Sequence, residues 1–201
     1  MEDGAPRRWR RRGALAGCST TRLTEPGQTA TGQPIISTAI DHAVATLDPK
    51  IPAGTKVHDS SLYFDTAPSD AALYSKYAIA SIRDRLLRLG ARLVDTSAAA
   101  DMVIEVRTGG QSIDHDDFLI GLPAVPVPIP LVGTLTTPKI ALFEDDRQTG
   151  IAKLALPGYG KDGAPAVSTG PRYGTSDETR WTVLLFISWT HQDRLPKGVK
   201  D

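Results

Sequence analysis

Residues 71–94 read AALYSKYAIASIRDRLLRLGARLV. Ile79, Ile82, Leu86 and Leu89 recur at helical spacing, with Arg83, Asp84 and Arg88 on the other side, so an amphipathic helix is predicted over Ala71–Leu89. Gly90 can take the left-handed conformation that ends a helix, and Ala91–Val94 then restarts as a strand. Ser69, closing a loop over Tyr63–Asp70, is the candidate N-cap.

Upstream, Gln33–Leu47 repeats the helical pattern through Ile36, Ile40, Ala43, Val44 and Leu47, with Pro34 in the first turn and His42 on the polar side. A short strand is expected over Gly54–Asp59. Downstream, a small polar connection at Asp95–Asp101 leads to a strand at Met102–Thr108. Lys139–Glu144 and Ile151–Leu156 read as a hairpin around a polar loop at Asp145–Gly150, followed by a second loop, Pro157–Gly163, and a strand at Ala164–Thr169. Arg180–Thr190 carries Trp181, Val183, Leu185, Ile187 and Trp189 on one side and Leu184 and Phe186 on the other, the pattern of an interior strand. Short connections among the later strands favour antiparallel pairing. The fold class is therefore α+β: two helices packed on one face of a mostly antiparallel sheet, with a proline-rich insertion between strands. The expected organisation is a basic segment, lipidation-like site and polar tether over 1–32, one α+β domain over 33–196 with the insertion at 113–138, and a tail at 197–201.

Lys+Arg and Asp+Glu balance at 23 each, which argues against a nucleic-acid-binding domain, whose footprint should be basic. The lone cysteine, Cys18, excludes an internal disulfide. Phe118–Thr137 has the length of a membrane span, yet Pro123, Pro126, Pro128 and Pro130 exclude a helix there.

That insertion holds the candidate sites. Asp114, His115, Asp116 and Asp117 are suitable metal ligands if a loop made them converge; the alternative is that the aspartates cap a turn. No catalytic residues and no cofactor are assigned, since no nucleophile–base pair or phosphate-binding loop occurs. The match of Gly158–Gly163 to G-x-G-x-x-G lies between Pro157 and Pro165 with no helix after it, so it reads as a hairpin loop. In the charge-free run, Pro126, Pro128 and Pro130 alternate with aliphatic residues and remove hydrogen-bond donors along one edge of an extended chain. Phe118, Leu119, Val125, Val127, Ile129 and Leu131 are the candidate binding residues, either folded back on the sheet or offered to a partner.

The N-terminus carries Arg7, Arg8, Arg10, Arg11 and Arg12, then Leu15-Ala16-Gly17-Cys18 and the polar run Ser19–Thr24. This resembles the end of a bacterial lipoprotein signal, in which the cysteine is lipidated and becomes the mature N-terminus. Only Gly13–Gly17 separates the arginines from Cys18, against about 7–15 apolar residues in an export signal. A cytoplasmic location is the alternative if this segment does not export the chain.

Taken together, the segments YFDTAPSDAALY, GARLVD, IEVRTG, SIDHDDFLIGLP, DRQTGIAKLAL and WTVLL resemble an uncharacterised family of bacterial envelope lipoproteins, a domain of unknown function. The resemblance implies a periplasm-facing protein anchored at Cys18, whose partner is another envelope protein or a second copy, and no nucleic acid. More loosely, the helix–GARLVD–strand unit is similar to periplasmic lipoproteins that activate penicillin-binding proteins or assemble secretion pores. That similarity implies binding rather than enzymatic chemistry.

Overall fold

The computed structural model describes residues 17–22, 32–62, 71–131 and 133–193. Helix α1 spans Gly32–Ala45 and α2 spans Ala71–Arg88, as their spacing predicts. Gly90 follows α2 at φ 89°, and the Ala91 amide bonds back to the Leu86 carbonyl at 3.1 Å, closing the helix. Ser69 and the 63–70 loop lie outside the described residues.

Three long antiparallel strands form the frame: β5 (Arg107–Leu122), β8 (Ile140–Gly160) and β9 (Pro165–Val183), with β8 in the centre. Beyond β5 lies β1 (Gly17–Arg22), and beyond β9 lies β10 (Ile187–Gln192). Near its C-terminal end β8 pairs with β4 (Met102–Glu105), which continues through two parallel pairings into β2 (Lys56–Ser60) and β3 (Arg92–Leu93). These make one eight-stranded sheet. A separate two-stranded ribbon, β6 (Pro126–Ile129) and β7 (Gly133–Thr136), projects from the β5–β8 connection. The α+β class holds, with all sheet pairings antiparallel except those of β2.

The helices cover one half of one sheet face. Ile35, Ile40 and Leu47 from the first helical segment and Ile82 and Leu86 from α2 are fully buried, as are Ile104, Leu154 and Leu156 beneath them. Contact with the sheet is close enough to require glycine: a Cβ on Gly174 would lie 2.0 Å from the Ala39 carbonyl oxygen, and one on Gly150 would lie 2.6 Å from the Ile35 Cγ2. The other half of the frame, towards Leu122 and Ile140, extends past α1.

Several expectations change. Asp145–Gly150 is not a loop but the middle of β8, because its polar residues find partners across the ladder: Asp146 lies 3.5 Å from His115, and Thr149 donates to Asp177 at 2.8 Å. Ile113–Leu122 belongs to β5, so only the segment after it leaves the sheet. Arg180–Thr190 is not one interior strand; β9 ends at Val183, Leu184-Leu185-Phe186 turn, and β10 returns with Ile187 opposite Val183. The register keeps Trp181 and Trp189 paired, which is why the alternation runs unbroken across the turn. Ser19–Arg22, read as tether, pairs with β5 instead; Thr20 and Thr21 are β-branched and suit a strand.

Candidate functional site: the uncovered end of the sheet

Strand geometry decides what Asp114–Asp117 can do. Successive side chains alternate between faces, so His115 and Asp117 lie on the helix side while Asp114 and Asp116 lie on the other. The four do not converge. Among the described residues no group of three or more His, Cys, Asp or Glu is arranged to hold a metal ion. The metal-loop reading of Asp114, His115, Asp116 and Asp117, and the turn-capping alternative, both give way to a ladder position.

On the helix side beyond α1, the register sets His115 beside Gln148 and Glu178, and Asp117 beside Asp146 and Arg180. Burial pushes the Asp146 carboxyl above its ordinary range; His115 pulls it back, and Asp117 pushes it further up. Asp146, Gln148, Glu178 and Arg180 line a recess of ≈ 100 Å³, too small for more than a few waters. Two open grooves lie elsewhere. One, of ≈ 530 Å³, runs between the helices, where the Tyr77 hydroxyl donates to Asp41 at 2.8 and 2.9 Å. The other, of ≈ 490 Å³, is bordered by Asp101 and Lys161, which pair at 3.6 Å. Their charged groups largely answer one another. His42 Nδ1 donates to the Thr175 carbonyl at 2.7 Å and ties α1 to β9. Pro157–Gly160, expected in a loop, are the last residues of β8, and only Lys161–Ala164 connects it to β9, with the Gly163 amide on the Gly160 carbonyl at 3.0 Å.

Past Asp114, Asp116 and Arg147 the opposite face becomes largely apolar towards the free end. Across one row the register gives Phe118, Asp145, Trp181 and Trp189, and across the next Ile120, Phe143, Val183 and Ile187. Phe118 meets Phe143 edge-on at 6.4 Å, and Trp181 stacks on Trp189 at 5.9 Å. Of the candidate binding residues, Phe118 is part-exposed here, while Leu119 points to the other face and is buried. Val125, Val127, Ile129 and Leu131 are exposed on the ribbon, Leu131 completely.

The ribbon also shows where its hydrogen bonds go. The Val125 amide donates to the Thr137 hydroxyl at 2.9 Å, and the Thr137 amide to the Val125 carbonyl at 3.0 Å. Val125, Val127 and Ile129 therefore direct their amides towards β7. Pro126 and Pro128 fall on the outer edge, where a strand would otherwise offer donors.

Sequence reasoning missed the second half of this end. Leu184, Leu185 and Phe186 are 54, 55 and 79% exposed, and the Leu184 and Leu185 amides are pinned to the Leu142 and Ala141 carbonyls at 3.0 and 2.9 Å. Leu184 and Leu185 take φ of 50° and 75°, a conformation normally left to glycine or asparagine. No turn-forming residue marks the site, so the sequence holds no signal for it.

A family model matches residues 13–169. The chain belongs to the DUF6655 family, a family of unknown function. The DUF6655 match takes in Cys18, both helices, the ribbon and the whole of β8, and ends within β9. The 184–186 turn lies beyond it. No curated protein matches the chain.

Proposed function

We propose that this DUF6655 chain is a non-catalytic cell-envelope lipoprotein, anchored through Cys18 and facing the periplasm, that works by binding and assembly with the apolar end of its sheet as the contact surface. One observation carries the reading. Two runs without a charged residue, 118–137 and 181–190, are far apart in sequence and meet at the same end of the sheet, next to the register position of Cys18. Leu15-Ala16-Gly17 before that cysteine supports lipidation. The competing metal-site reading loses its support because Asp114–Asp117 alternate faces.

Two measurements test the proposal. Cell fractionation with mass spectrometry of the N-terminus should find a membrane-associated chain beginning at a lipidated Cys18; an unmodified Met1 terminus in the cytosol would sink the anchored reading. Excising Val125–Thr136 and rejoining β5 to β8 by a short turn should preserve the fold while changing what the chain associates with. Loss of cooperative unfolding would instead make the ribbon part of the core.

A further inference from the structure

The apolar end has two loops from distant parts of the chain, the β6–β7 ribbon and the 184–186 turn. Neither carries a charge, and Lys139, the nearest cation in sequence, is engaged by Glu144. A protein interface usually mixes an apolar centre with a polar rim and favours arginine. A surface that is apolar out to its tips, with tryptophans set back from them, fits a lipid layer, where tryptophan occupies the headgroup level.

Chain geometry adds an independent argument. β8 runs 21 residues, about 70 Å at strand rise, so an anchor could have met the sheet anywhere along that length. The register puts Cys18 opposite Leu119, three positions before Leu122 at the end of β5, which is about 10 Å from the tip. β1 is antiparallel to β5 and so runs away from the tip, which leaves its Cys18 end the nearer to it. A lipid on this residue would enter a bilayer at the end where the apolar loops project.

We infer that the ribbon and the Leu184–Phe186 turn dock into the surface of a lipid bilayer, forming a second attachment beside the Cys18 anchor. The inference rests on the contact-surface reading above and names its occupant. Attachment through these loops is apolar rather than electrostatic, because neither 126–136 nor 184–186 holds a basic residue, and the arginines at 7–12 would leave with the segment cut before Cys18. It therefore needs no anionic lipid and is insensitive to salt. The lipid chain and the loops together give the two signals that stable anchoring requires.

The test uses the full chain with Cys18→Ser, which cannot be lipidated, and vesicles of neutral phosphatidylcholine. The protein should sediment with the vesicles equally at low and high salt. Hydrogen exchange should slow in the ribbon and at 184–186 but not in α1 or α2. Leu185→Asp and Phe186→Asp should each weaken partition by about tenfold or more, while thermal melts confirm that the fold persists. Aspartate tolerates the left-handed backbone at 185, so that variant is not expected to unfold. Failure to sediment, with the Cys18→Ser chain forming a dimer that Phe186→Asp dissolves, would overturn the inference in favour of a second copy and leave the contact-surface reading standing. Partition that requires anionic lipid or disappears with salt would also overturn it. Vesicle binding by Cys18→Ser, combined with an unlipidated cytosolic wild-type chain, would sustain the docking surface and defeat the anchor.

Discussion

Substituting Gly174 by alanine should be among the most damaging single-methyl changes available to this protein. The added Cβ would stand 2.0 Å from the Ala39 carbonyl oxygen, 2.3 Å from the Ala43 nitrogen and 3.0 Å from the Ala43 Cα. Non-bonded carbon contacts settle near 3.5 Å, so α1 would have to lift, or β9 bow, by more than about 1 Å. No flexible side chain absorbs the clash, since all three neighbours are helix backbone. Ile35, Ala39, Ile40 and Ala43 are completely buried along this helix, so the displacement would open gaps around them. Overpacking costs about 1–3 kcal/mol, and backbone-to-backbone contact places this case at the upper end. For a chain of this size about 3 kcal/mol lowers Tm by about 6–12 °C. The matched control is Gly170→Ala in the same strand, where an added Cβ meets nothing within 4 Å; it should leave Tm unchanged or raise it slightly. Calorimetry of the two variants decides the matter. Equal melting of Gly174→Ala and Gly170→Ala would refute the close seating of α1 on β9.

Other consequences can be checked with the same melts. Leu154→Ala, at a fully buried site under the helices, should cost about 2–5 kcal/mol, read from urea midpoints at constant m-value. Asp59 is 4% exposed and accepts from Arg83 at 2.8 Å, so Asp59→Ala should cost about 1–3 kcal/mol, with the exposed arginine limiting the loss; Asp59→Asn should cost less. Asp146 has a raised folded-state pKa, so its contribution favours folding below the unfolded value of 3.8 and is lost as pH rises through the folded value. Asp146→Asn should thus gain on wild type across that rise and lose its advantage at lower pH; an advantage that grows on acidification would contradict the assignment. Leu131→Ser, at a fully exposed ribbon tip, should move Tm by less than about 1 °C.

The two halves of the sheet differed in how far the sequence disclosed them. Under the helices, apolar residues face one way and polar residues the other, so Ile36–Ile40–Val44 and Ile82–Leu86 report their own burial through spacing. Gly90 reports its own turn because its φ is one that other residues avoid. Past the helices those rules lose their grip. Asp145–Thr149 reads as loop by polarity, although Arg147, Gln148 and Thr149 face Asp116, His115 and Asp114 across the ladder. Leu184 and Leu185 read as core by hydrophobicity, although they form a turn in a conformation that disfavours leucine. His115 and Asp117 read as a cluster with Asp114 and Asp116 because sequence adjacency does not show which face a strand residue takes. The candidate site was therefore half legible: the ribbon announced itself through its prolines, while the turn that shares its end did not.

The prolines of that ribbon also bear on crowding. Attaching copies to a surface confines them to two dimensions and raises their rate of encounter, with ends of the same kind brought side by side. An exposed apolar strand with free amides would then recruit its neighbours into a growing sheet. With Pro126 and Pro128 on its outer edge, the ribbon has no donors there to share. Its greasy side chains can face whatever lies ahead of them while its β6 edge offers a neighbouring strand no amide to pair with.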